Sequence, residues 1–189
     1  MGLGFLCTKF LRYALDSWLP TFLNLQGFDV WRAAYYSTIF DFAGIMGSII
    51  AGILLDRWCK GRWHLICLWA SFGSVLGYIL VLWTGANPIA LALSFGVVGF
   101  MVCIPDTILP GPAAVQVAGE KNAVAVAGLI NGLASLGPVI QEELVGTIMK
   151  GAVAQTNINH ANYLTLGVSI ISVISMALLF WQIRKIRRG

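Results

Sequence analysis

Long apolar runs separated by short polar breaks dominate the chain. Six runs, near residues 3–25, 31–55, 64–84, 88–110, 121–148 and 161–182, each approach the ~20 residues that a helix needs to cross a bilayer. The breaks are Asn24 to Asp29, Asp56 to Arg62, Gly85 to Pro88, Pro110–Pro112 through Glu120–Lys121, and Lys150 to His160. A helix satisfies its own backbone groups in lipid, so this pattern predicts an all-α bundle of six transmembrane helices forming one domain over residues 1–189. Small residues four apart, at Gly73 and Gly77, Ser48 and Gly52, and Gly128 and Gly132, predict places where helices touch closely. Trp18, Trp31, Tyr35, Tyr36, Trp58, Trp63, Trp83 and Trp181 fall near run ends and read as interfacial belts. Trp18 is the exception, because it lies within two turns of a charged pair.

Composition agrees with the pattern: 58% of the residues are hydrophobic and 11% charged, against roughly a quarter charged in a soluble domain. The net charge of +4 comes from cations in a short loop and in the last residues beside apolar runs, so it reads as membrane anchoring and excludes a nucleic-acid partner. Arg57, Lys60, Arg62, Lys121, Arg184, Lys185, Arg187 and Arg188 all fall on one side of an alternating topology, which places both termini in the cytoplasm. The run that begins after Met1–Gly2 lacks a basic leader and a cleavage site and is read as a first span, not as a removable signal peptide. Cys7, Cys59, Cys67 and Cys103 have no metal-ligand or disulfide-framework spacing and read as reduced fillers. No Ser-His-Asp, CxxC, Walker or HExxH arrangement occurs, so the chain is read as a non-enzyme with neither metal nor cofactor.

Charge inside the first run is the main chemical signal. Arg12 and Asp16, four residues apart, share a helix face within a stretch of Leu, Phe, Trp and Tyr. Charges at bilayer depth look into protein or a wet cavity, which is where a transported anion would sit. Lys9, one turn earlier, either adds to that field or snorkels to the headgroups. Asp106, after Pro105 in a fourth run kinked by proline, reads as an aspartate bonded to a neighbouring helix. Glu142 and Glu143 read as solvated, His160 as an inert loop residue, and Asn131 as either facing the cavity or bonded to a neighbour.

The loop Gly52-Ile-Leu-Leu-Asp56-Arg57-Trp-Cys-Lys60-Gly61-Arg62 resembles the G-x-x-x-D-R-x-x-[KR]-G-[KR] signature of the major facilitator superfamily. Physically, Gly52 would let two helices close up and Asp56 would end a helix near a cation. Arg57, Lys60 and Arg62 would grip carboxylates, helix C-termini or lipid phosphates. The stretch Arg12-Tyr-Ala-Leu-Asp16-Ser17-Trp18-Leu-Pro20 resembles the opening of the second half of the organophosphate:phosphate antiporters, and Phe40–Gly47, Gly99–Phe100, Pro105 and Lys121–Gly128 agree with it. The resemblance runs over nearly the whole chain and onto the C-terminal six-helix half of a twelve-helix transporter. It implies exchange of an organic phosphate, such as a sugar phosphate or glycerol-3-phosphate, for inorganic phosphate by alternating access. It also implies substrate contact by Arg12, with Lys9, Trp18 and Asn131 as further candidates. Asp16 and Asp41 are implied in charge balance, and Asp56, Arg57, Lys60 and Arg62 in gating. The partners implied are the bilayer, the phosphorylated cargo, and a missing N-terminal half or a self-association partner. A transport-incompetent accessory subunit of a membrane assembly is the competing expectation.

Overall fold

A computed structural model describes all residues except Lys60, Gly85, Ala86, 151–153 and 187–189. Lys60, Arg187 and Arg188, singled out above, therefore lie outside the described residues. The elements are α1 (Gly2–Leu25), α2 (Val30–Ile53), α3 (Trp63–Trp83), α4 (Pro88–Ile108), α5 (Ala114–Ala118), α6 (Ala123–Ala134), α7 (Leu136–Met149) and α8 (Ala154–Ile186). No strand occurs among the described residues. Five helical stretches are long and apolar enough to cross a membrane: Val30–Trp58, Trp63–Trp83, Ile89–Ala118, Ala123–Met149 and Thr156–Lys185. Helix α1 has comparable length, but Lys9, Arg12 and Asp16 keep it out of that group.

Local chemistry sets several of the starts. Asp29 caps α2 by accepting from the Trp31 amide at 3.3 Å, and Asn87 caps α4 by accepting from the Ala90 amide at 3.2 Å, with Pro88 in the first turn. The ends differ from the sequence expectation. Helix α2 does not stop at Asp56; it runs on as a π turn, Leu54–Trp58, before Gly61, whose φ of 75° turns the chain into α3. Pro110 and Pro112 do not form a loop either. A second π turn, Leu109–Ala113, carries α4 into α5, and its wider winding accommodates the missing proline N–H groups. The fifth run is broken in two at Ser135, where Pro138 withholds the amide that would have bonded the Ala134 carbonyl. The sixth helix starts at Ala154, so His160 lies exposed on α8 and not in a loop.

Helix α4 is the most enclosed span, packed against α1, α2 and α3. Its seam with α2 is made by glycines. A side chain at Gly47 would run into the Phe100 carbonyl, one at Gly44 would meet Cys103 Sγ at 2.8 Å, and one at Gly99 would meet the Phe40 carbonyl at 2.8 Å. Gly73 and Gly77 do the same between α3 and α4, facing Met101 Sδ at 2.5 Å and Val98 Cγ2 at 2.7 Å, as their spacing predicts. Gly52, Gly128 and Gly132 depart from the expectation: nothing lies within 4 Å of a Cβ at any of them, so they face open space and close no helix pair. Trp63 is likewise no belt residue. At 2% exposure it sits in the core with Phe5, Ile104, Ile108 and Met176, whereas Trp31, Trp58, Trp83 and Trp181 are exposed. Ser71 and Ser172 share a buried hydrogen bond of 3.3 Å between α3 and α8, a polar tie that lipid does not weaken.

Candidate functional site

The site is built on the polar side of α1. Phe5, Thr8, Leu11, Leu15, Leu19 and Phe22 are buried, while Tyr13, Asp16, Ser17, Thr21 and Asn24 are exposed, with Lys9 and Arg12 half-buried between the two sides. The helical period places these exposed groups on one stripe. In a chain whose other open faces carry Phe42, Trp69, Leu178 and similar side chains, such a stripe is unsuited to lipid.

Arg12 leaves that stripe toward α4 and donates to Asp106 Oδ2, and its Nε stands 3.6 Å from Asp16 Oδ2. Asp106 is the more enclosed acid, its side chain 13% exposed against 31% for Asp16. The pair borders a cavity of about 400 Å³, lined also by Phe40, Asp41, Gly44, Ser48, Cys103 and Thr107. On its far wall the Thr107 hydroxyl donates to Ser48 Oγ at 2.9 Å. One guanidinium thus faces three carboxylates. Arg12 offsets the repulsion between Asp16 and Asp106, the two acids that it bridges.

The other candidates separate from this centre. Lys9 turns to the break between α6 and α7, where Nζ donates to Ser135 Oγ at 3.3 Å and lies 5.3 Å from the Phe5 ring centre, so it does not line the cavity. Asn131 is exposed and its carbonyl accepts from the Ser135 hydroxyl at 2.8 Å, again away from Arg12. The Trp18 indole donates to Glu142 Oε2 at 3.2 Å and its ring packs against the core, which ties α1 to α7; Trp18 does not line the cavity. Asp41 lines the cavity and forms no ion pair among the described residues. Asp56, Arg57 and Arg62 are exposed at the far ends of α2 and α3, with no ion pair among the described residues; Asp56 lies within the π turn and ends no helix. The loop they frame is tied by Gly61, whose amide donates to the Leu55 carbonyl at 3.0 Å and where a Cβ would meet Gln116 Nε2 at 2.8 Å.

Asp106 is the residue that sequence reasoning left outside the site. It is bonded to a neighbouring helix, as expected, but the partner is Arg12 itself. The signal was available: an acid at mid-span with no cation on its own helix demands one from another.

This arrangement, one helix-borne arginine beside glycine-sealed helices and a D-R-x-x-K-G-R loop, has a match among known families. The model of the Major Facilitator Superfamily matches residues 1–141. The chain belongs to the Major Facilitator Superfamily. Among the relatives of this superfamily chain is the glycerol-3-phosphate transporter of Bacillus subtilis, 27% identical over 172 residues, or 89% of the chain and 38% of the relative. A glucose-6-phosphate exchanger of Danio rerio is 24% identical over 192 residues, 96% of the chain and 37% of the relative. A 4-hydroxybenzoate transporter of Acinetobacter baylyi is 30% identical over 100 residues, 52% of the chain and 21% of the relative. Within the superfamily the chain is organophosphate:phosphate antiporter-like, and it spans little more than a third of the length of the first two relatives. Five long apolar helices and superfamily membership make it an integral, multi-pass membrane protein.

Proposed function

We propose that the chain forms the C-terminal six-helix half of a carrier that exchanges an organic phosphate for inorganic phosphate by alternating access. The observation that carries this reading is Arg12, a guanidinium on a polar stripe that lipid does not suit, opening on a cavity of about 400 Å³. Its planar fork donates paired hydrogen bonds to a tetrahedral oxyanion and cannot lose its proton. Cargo and inorganic phosphate present the same headgroup to it, and two halves rock around the midplane site. The relatives named for glycerol-3-phosphate and glucose-6-phosphate support a phosphate ester as cargo. Polypeptide outside this chain, covering the α1 stripe, supplies the second wall and a second cation. Arg57, Arg62, Lys121, Arg184 and Lys185 favour a cytoplasmic location for both ends.

The test is uptake of labelled glycerol-3-phosphate into phosphate-loaded proteoliposomes that carry the chain together with the polypeptide supplying its second wall. Arg12→Ala is expected to lower uptake on the order of 100-fold, equivalent to about 2.7 kcal/mol of lost charged hydrogen bonds, and Arg12→Lys to restore part of it. Competition by excess glucose 6-phosphate supports the reading. Uptake that survives Arg12→Ala, or competition by 4-hydroxybenzoate alone, overturns it, and absence of uptake with stable co-purification of other subunits establishes the accessory role instead.

A further inference from the structure

Helices α3 and α8 pack together, and neither contributes a described residue to the lining of the Arg12 cavity. Along their seam Leu68, Trp69 and Phe72 of α3 and Val173 of α8 wall an apolar groove of about 310 Å³. Trp69 and Phe72 are exposed and stand edge to face, with ring centres 6.5 Å apart. An exposed tryptophan on a span ordinarily belongs to the headgroup belt. Trp69 instead lies about 9 Å inside α3, counted from its start at Trp63, so its ring faces acyl chains.

Toward one end of the seam the surface becomes cationic. Val173, Ala177, Phe180 and Arg184 recur at the helical spacing and share one face of α8. The Phe180 ring lies 5.5 Å from that of His64 on α3, and the Arg184 guanidinium lies 4.6 Å from the Phe180 ring centre. Lys185 is exposed beside it, with Nζ 5.7 Å from the Trp181 ring centre. Neither α3 nor α8 contains an Asp or a Glu, and neither cation forms an ion pair among the described residues.

We propose that this seam binds one anionic glycerophospholipid, its phosphate on Arg184 and Lys185 and one acyl chain laid over Ala177 into the groove at Trp69. From Val173 to Arg184 the helix rises about 16 Å, which matches the depth of about 15 Å for one leaflet of the hydrocarbon core. The Phe180 ring holds the face of the guanidinium and leaves its N–H edge free to donate to phosphate oxygens. Ala177 is exposed and small, so the track between cation and groove stays open. The amine of a zwitterionic headgroup finds no carboxylate on these helices, whereas a headgroup of net negative charge is matched by both cations. Lipid suits this face better than protein does, because α3 and α8 are the most apolar of the five spans and the polar stripe that needs cover lies on α1. The lipid is a bound partner and not cargo, so the site stands apart from the exchange reading.

The test is tryptophan fluorescence of the full chain in nanodiscs of mixed phosphatidylcholine and phosphatidylglycerol, with quenching bromines on the acyl chains of one lipid at a time. Subtracting the signal of Trp69→Phe isolates Trp69. Each cation is expected to enrich the anionic lipid about fivefold, so brominated phosphatidylglycerol quenches Trp69 more, mole for mole, than brominated phosphatidylcholine does. Arg184→Gln and Lys185→Gln are each expected to cut that excess about fivefold. Arg184→Lys keeps the charge and most of the excess, which a misfolded variant would not. Lys121→Gln, between α5 and α6 and away from the seam, leaves the excess unchanged. Inorganic phosphate added at constant ionic strength also leaves it unchanged; its loss would mark a site for soluble anions and overturn the proposal. Equal quenching by the two lipids, or an excess that survives Arg184→Gln combined with Lys185→Gln, overturns it in favour of an ordinary annular lipid. Quenching of Trp69 by neither lipid overturns it in favour of a protein partner or a second copy on this face.

Discussion

Arg12 is held from two sides, and removing it leaves the heavier penalty on the acid behind it. Asp106 is 13% exposed, so Arg12→Met leaves a carboxylate without its donor and is expected to destabilise the chain by about 1–3 kcal/mol. Adding Asp106→Asn recovers most of that loss, and melting of the two single variants and the double variant in detergent gives the coupling. A double variant no more stable than Arg12→Met would show that the pair is incidental. At this scale the sequence announces Arg12 and Asp16 through the rarity of charge at bilayer depth and Asp41 through the family resemblance, and the structure brings all three to one cavity. Lys9 and Trp18 stand out by nearness to Arg12 along the chain, and Asn131 by its place beside Gly132. Their side chains point around α1 toward α7 or lie on α6, and separation in sequence does not reveal which flank of a helix a neighbour occupies.

Helices α2 and α4 meet through glycines, and this seam carries a prediction of its own. Gly47→Val would drive a side chain into the Phe100 backbone and is expected to cost about 2–3 kcal/mol, because a carbonyl cannot move aside as a flexible side chain can. Gly128→Ala and Gly132→Ala, which meet nothing within 4 Å, are expected to stabilise α6 by roughly 0.5–1 kcal/mol each, the ordinary gain of Ala over Gly in a helix. Melting temperatures of the chain in detergent check both signs. The position of every long helix was legible from hydropathy, but its ends were not. Prolines at 110 and 112 suggest a stop, yet a π turn absorbs both and the helix continues to Ala118. Small-xxx-small spacing identified the α3–α4 contact and misread Gly52, Gly128 and Gly132, because a small residue on an open face has the same spacing as one in a seam.

For the molecule as a whole, apolar faces and the α1 stripe define two kinds of surroundings. Single cysteines at Ser17 and Thr21, in a background lacking Cys7, Cys59, Cys67 and Cys103, are expected to react with a charged maleimide in membranes. Cysteines at Ile174 and Leu178, on an apolar open face of α8, are expected to stay unlabelled because lipid covers them. Equal labelling of both sets would remove the argument that α1 faces water or other polypeptide. Class was readable from the chain alone, since bilayer thickness imposes a regular spacing on any sequence that crosses it, and the family from the resemblance carried by the Gly52–Arg62 loop and the Arg12–Pro20 stretch. The pairing of Arg12 with Asp106 was not, because it depends on how α1 and α4 meet in space. Gly44 and Ser48 on α2, and Cys103 and Thr107 on α4, border the cavity where those two helices touch backbone to backbone. That side is therefore an anvil: a bulkier ester finds no give there, and tolerance for large or small guests must be tuned on the opposite jaw.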